Sequence, residues 1–144
     1  MVETSTATTT ERATAPALEA DLLAAKLDRF TAMVSGKDRA LLDELWGDGE
    51  FCMIGSERGE ICPTRETLDA KLKAIFASPG TLFLEFPEKR IRIVGNVGWI
   101  FSAGVLRRRD SDGLEKTRDY LVTCIFEKSE GVWRWRQFFG SEPY

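Results

Sequence analysis

The closing stretch of the chain, Thr117 to Ser141, constrains the fold more than any other segment. Apolar and polar residues alternate on both sides of Ser129-Glu130-Gly131, as in two long antiparallel strands joined by a short turn with one face buried. The second strand would carry Trp133, Trp135, Phe138 and Phe139 within seven residues. Aromatic surface of that extent has to be covered by other elements. Strict alternation puts Trp133, Trp135, Gln137 and Phe139 on one face and Arg134, Arg136 and Phe138 on the other. Two arginines beside a phenylalanine do not make a dry core, so that face is expected outward, towards solvent or a partner, with the tryptophan face inward.

Upstream the spacing is helical. Pro16 can open a helix whose stripe is Leu23, Leu27, Phe30 and Val34, with Leu22 and Met33 beside it and Gly36 as its stop. Asp38 is expected to cap a shorter helix through Leu41, Leu42, Leu45 and Trp46. A short strand over Glu50–Ser56, a turn and a return strand at Ile61-Cys62 precede a third helix capped by Thr64, with Leu68, Leu72, Ile75 and Phe76 as its stripe. Beyond Ser78-Pro79-Gly80 every segment reads as strand: Leu82–Phe86, Arg90–Val94, Val97–Arg107 and the closing hairpin. Helices early and strands late imply one α+β domain over residues 16–144, behind a Thr- and Ala-rich tail, residues 1–15, expected to be disordered.

Several classes are disfavoured by composition. A net charge of -3, with Arg107-Arg108-Arg109 as the densest basic block, argues against a nucleic-acid partner. The apolar runs are far too short for a membrane span, and no secretory signal is visible. Cys52, Cys62 and Cys124 lack metal spacing and suit packing in a reducing cytoplasm, the expected location. No phosphate loop, nucleotide fingerprint or metal cluster is present, so no cofactor and no metal are expected. The chain contains no histidine, so acid–base chemistry would rest on carboxylate, Tyr or Lys groups with shifted pKa values.

Four pieces in sequence carry a family resemblance. They are the opening helix with Gly36-Lys37-Asp38 and Trp46; Phe51-Cys52-Met53-Ile54-Gly55 with Gly59 and Thr64-Arg65-Glu66; Gly95-Asn96-Val97-Gly98-Trp99; and Thr123-Cys124-Ile125-Phe126-Glu127-Lys128 with Gly131, Trp133, Arg134 and Ser141. In this order they resemble the nuclear transport factor 2-like superfamily and, within it, the SnoaL-like group, over Leu18 to Tyr144. The resemblance implies a cone-like half-barrel, a strongly curved antiparallel sheet wrapped around the helices, with a pocket at its open end. It also implies frequent homodimers through the outer sheet face, and functions ranging from isomerases, dehydratases and cyclases to silent association domains. Relatives often carry histidine in the last strand, where this chain has Gln137 and Phe139, so a histidine dyad does not carry over.

Within such a cone, Asp119 and Tyr120 are the candidate catalytic pair. Asp119 shares a face with Leu121, Thr123 and Ile125 and could stand as a proton-transfer acid near the pocket mouth, or simply pair with Arg118 at a strand end. Trp46, Phe51, Met53, Trp99, Phe101, Trp135 and Phe139 are candidate cavity residues for a small hydrophobic or ring-containing ligand; core and dimer interface are their alternatives. Gln137, the polar group of the expected inward face, would bond a ligand, Thr123 or backbone. Arg107–Arg109 near Asp110 and Asp112 read as solvated strand ends. Two functions stand: an isomerase-, dehydratase- or cyclase-like enzyme using a carboxylate, or a non-catalytic binding or homodimeric association module.

Overall fold

The structure, a computed structural model, describes residues 15–143; the expected tail lies outside them except for Ala15. Among the described residues three helices, α1 (Ala15–Ser35), α2 (Leu41–Trp46) and α3 (Arg65–Ala77), precede most of a seven-stranded sheet. Its strands are β1 (Cys52–Ile54), β2 (Ile61–Cys62), β3 (Thr81–Glu85), β4 (Arg90–Val94), β5 (Val97–Arg109), β6 (Glu115–Ser129) and β7 (Val132–Ser141). Their order is β2-β1-β7-β6-β5-β3, with β4 also paired to β5. All pairings are antiparallel except β1 with β7, which run parallel. No helix of the described residues is long and apolar enough to cross a membrane.

The helices form where their stripes predict. Leu23, Leu27, Phe30, Met33 and Val34 of α1 are buried against the concave face of the sheet, while Leu22 stays exposed. Asp38 acts before α2 rather than as its cap: its Oδ1 accepts the Ala40 N–H at 2.9 Å, and Ala40 holds the cap position. At α3, Thr67 supplies the reciprocal bond usually given by Glu, its hydroxyl accepting the Thr64 N–H at 3.0 Å while Thr64 Oγ1 accepts the Thr67 N–H at 3.1 Å.

Two strands share one edge of β5. Thr81–Glu85 pairs with Val105–Arg109, and Arg90–Val94 pairs with Val97–Phe101. The chain crosses between them at Gly104, where a Cβ would overlap the Glu85 carbonyl and the Phe86 ring. Both strands lie against α1.

The last strand departs from strict alternation. Ile125 pairs with Gln137 but Phe126 pairs with Trp135, so Arg136 is an extra residue, a β-bulge. Before it, Trp133 and Trp135 point inward as expected, both buried. After it the phase reverses: Phe138 is inward and 3% exposed, whereas Gln137 and Phe139 face outward, Phe139 being 42% exposed. The expected inward positions of Gln137 and Phe139, and the outward one of Phe138, are thus corrected. The bulged Arg136 is held by Asp48 at 2.8 and 2.9 Å and by Glu127 at 2.9 Å. Trp135 packs among Phe30, Phe51, Phe126 and Phe138, and Phe138 stacks on Phe30 with ring centroids 4.5 Å apart.

Candidate functional site

Register decides which residues reach the concavity. On β5 the inward positions are Gly98, Ile100, Ser102, Gly104, Leu106 and Arg108; on β6 they are Lys116, Arg118, Tyr120, Val122, Cys124 and Phe126. Deep in the fold these side chains meet α1 and form the core. Towards the other end of both strands the helices diverge from the sheet and leave a cavity of about 310 Å3. Its apolar wall includes Phe30, Leu72, Phe76, Leu84, Leu106 and Phe138. Its polar side is formed by Ser56, Glu57, Glu60, Lys71, Arg108, Lys116, Arg118, Tyr120 and Glu142.

Tyr120 is the ionisable group set deepest in this wall. Its ring lies against Phe86, with centroids 6.3 Å apart, and its hydroxyl end stands near Ser56. The hydroxyl has room over the end of β7 because residue 140 is glycine: a Cβ there would overlap it. Burial pushes the phenol up to about 12, with the carboxylates of Glu60 and Glu142 adding to the rise. Ser56 in turn donates to Glu142 Oε2 at 2.7 Å, and Arg118 donates to Glu142 Oε1 at 3.0 Å. These two bonds hold the Glu142 carboxyl below its ordinary value. Lys71 pairs with Glu60, whose backbone carbonyl also closes the β1–β2 turn by accepting the Gly55 N–H at 2.7 Å. Cavity groups are therefore organised as a tyrosine kept protonated beside an ionised, hydrogen-bonded carboxylate. No cluster of metal-ligating side chains occurs among the described residues.

Of the residues singled out in the sequence, Tyr120 and Met53 line this cavity. Asp119 does not: it is the exposed outward neighbour of Tyr120, paired in register with Val105, and Arg118 bonds Glu142 instead of it. Its expected place at the mouth is corrected because Tyr120, not Asp119, shares the phase of the buried row Val122, Cys124 and Phe126. Trp135 and Phe51 are core, and Trp46 packs partly buried against that core. Trp99, Phe101, Thr123, Gln137 and Phe139 all lie on the outer face of the sheet. Gln137 and Thr123 make no hydrogen bond to each other there. Cavity residues the sequence did not single out are Ser56, Leu106, Arg108, Lys116, Phe138 and Glu142. The signal for Arg108, Lys116 and Arg118 was present in their phase with Tyr120. The run Leu121–Phe126 conceals it, because Thr123 is its only polar residue and both faces of β6 are mostly apolar.

Comparison with known proteins bears on the family. The model of the SnoaL-like domain matches residues 23–144. No curated protein matches the sequence. Solved structures show the same fold at low identity. A candidate dehydratase of the NTF2-like family from Streptomyces avermitilis superposes with a TM-score of 0.77 at 12% identity, over 90% of this chain and 99% of that one. An NTF2-like protein with a cystatin-like fold from Novosphingobium aromaticivorans gives 0.69 at 17% identity, over 87% and 82%. A ketosteroid isomerase-like protein from Erwinia carotovora atroseptica gives 0.69 at 16%, over 88% and 97%.

Proposed function

The chain belongs to the SnoaL-like domain family, and from that membership we propose that it binds a small, largely apolar organic molecule in the cavity beside Tyr120. The carrying observation is the cavity itself: an apolar wall drawn from core side chains, together with a set of polar and charged groups. Within this reading the Tyr120 hydroxyl, held protonated, donates a hydrogen bond to an oxygen of the ligand. A donor of that kind stabilises negative charge developing on a carbonyl oxygen, which suits isomerase-, dehydratase- or cyclase-like chemistry. Glu142 is the carboxylate placed to assist; Asp119 has no part in it.

The test is a titration of the protein with 2-tetralone, a compact neutral ring ketone, followed by amide NMR. Shifts centred on Met53, Leu106, Tyr120 and Phe138 support the proposal, together with weakened binding in Tyr120→Phe. Shifts confined to the outer face, or none, refute it. A non-catalytic binding role is the second reading. It is favoured by the burial of Tyr120 and the pairing of Glu142 with Ser56 and Arg118, which push the phenol up and the carboxyl down, both away from the range suited to proton relay at neutral pH.

A homodimer and a cytoplasmic location belong to the same proposal. Phe101, Thr123 and Phe139 lie in one cross-strand row of the outer face, continued by Ile54 and Ile61, and Phe101 and Ile61 are 38% and 62% exposed. An apolar row of this length suits a second copy of the chain. A monomeric mass by light scattering at micromolar concentration would remove the homodimer. Three free thiols accord with a cytoplasmic location.

A further inference from the structure

The cavity mouth holds two cations that have no counterion among the described residues. The β5–β6 register sets Arg108 directly opposite Lys116, both on the inward face and both lining the cavity. Like charges directly opposite on paired strands are destabilising. Their neighbours are neutralised: Arg107 and Arg109, on the other face, both bond Glu115, at 3.0 and 2.9 Å. The remaining cavity cations have partners too, Lys71 with Glu60 and Arg118 with Glu142. Among the described residues, neither Arg108 nor Lys116 makes an ion pair. Glu57, on the β1–β2 turn, also lines the cavity and pairs with neither of them. Next to this pair the wall is Leu82, Leu84 and Leu106.

We infer that the ligand is an amphipathic monoanion, a compact apolar body bearing one carboxylate that Arg108 and Lys116 hold at the mouth. This rests on the ligand-binding reading above and adds to it the charge of the occupant. A carboxylate between the two cations relieves their repulsion, and the guanidinium can grip it in a fork. The apolar body then lies along Leu106 towards Phe138, with Tyr120 beside it. Glu57 and Glu142 at the same site disfavour a dianion, which separates this class from phosphate esters. A volume of about 310 Å3 suits one or two fused rings rather than a long acyl chain.

The matched probes 2-naphthoate and 2-naphthamide test this by calorimetry at low salt, on the wild type and on an Arg108→Gln/Lys116→Gln double variant. The wild type is expected to bind the carboxylate about tenfold more tightly than the amide, a preference that shrinks at high salt. In the double variant carboxylate binding weakens far more than amide binding and the preference falls within about twofold, the difference between charged and neutral hydrogen bonds being gone. Equal binding of both probes to the wild type overturns the anionic ligand and leaves the pocket reading standing. A preference that survives in the double variant overturns the assignment to these two cations. Failure of both probes to bind the wild type defeats the pocket reading and this inference with it.

Discussion

The neighbouring phenylalanines of the last strand provide a direct measurement of the bulge. Phe138 is 3% exposed and stacked on Phe30, whereas Phe139 is 42% exposed on the outer face. Burying a phenylalanine is worth roughly 2.5 kcal/mol in transfer terms, and the cavity left by truncation in a core adds about 1–2 kcal/mol. Phe138→Ala should therefore cost about 4 kcal/mol. Phe139→Ala loses only the buried part of its ring and leaves no closed cavity, because water fills the space, so its cost is about 1 kcal/mol. Urea titration monitored by circular dichroism reads both values, and the melting temperatures should fall by roughly 12–16 °C and 3–4 °C respectively. Strict alternation along β7 would rank the pair the other way. If Phe139→Ala proved as damaging as Phe138→Ala in protein dilute enough to be monomeric, the bulge at Arg136 and the inward place of Phe138 would both be wrong.

Other expectations concern Tyr120, the bulge clamp and the indoles. Because the Tyr120 phenol is raised to about 12, the unfolded chain loses its proton first as pH rises past its ordinary value near 10. Stability is thus fully present below pH ~10 and declines towards ~12, by on the order of 2–3 kcal/mol from this group; alkaline denaturation of Tyr120→Phe should lack that component. Gly140→Ala drives a Cβ into the Tyr120 hydroxyl and should cost about 1–3 kcal/mol, as overpacking does, with Tyr120→Phe recovering part of it in the double variant. Asp48 is held below its ordinary pKa chiefly by Arg136, so its contribution is present above the unfolded value and is lost as pH falls; Asp48→Asn should flatten the acid limb of a stability–pH curve. Trp135 Nε1 is buried with no hydrogen-bond partner among the described residues, while Trp133 Nε1 donates to Glu19. Equilibrium unfolding should accordingly show that an indole loses a bond in Trp133→Phe and none in Trp135→Phe, the latter costing only its packing.

Much of the fold was legible because it depends on local periodicity. The stripe Leu23, Leu27, Phe30 and Val34, the turn at Ser129-Glu130-Gly131, and the inward tryptophans all appear where spacing places them. The site was less legible. Its polar groups come from the β1–β2 turn, the far ends of β5 and β6, and the last residues of β7, which only the folded sheet brings together. Asp119 and Tyr120 illustrate the limit. Adjacent residues on a strand face opposite ways, and in the flanking run Leu121–Phe126 the two phases differ only by Thr123, too little local signal to say which face is inside.

What the amino-acid order determined by itself is the alternation within each strand, the stripe on each helix and the absence of histidine, since each is a property of neighbours along the chain. Which of two apolar faces turns inward was decided by tertiary structure. The extra residue at Arg136, clamped by Asp48 and Glu127 from other segments, reverses the phase of β7 and exchanges Phe139 for Phe138 in the interior. A one-residue shift moves every later side chain across the sheet, and the long-range contacts that fix it leave no periodic trace in the sequence.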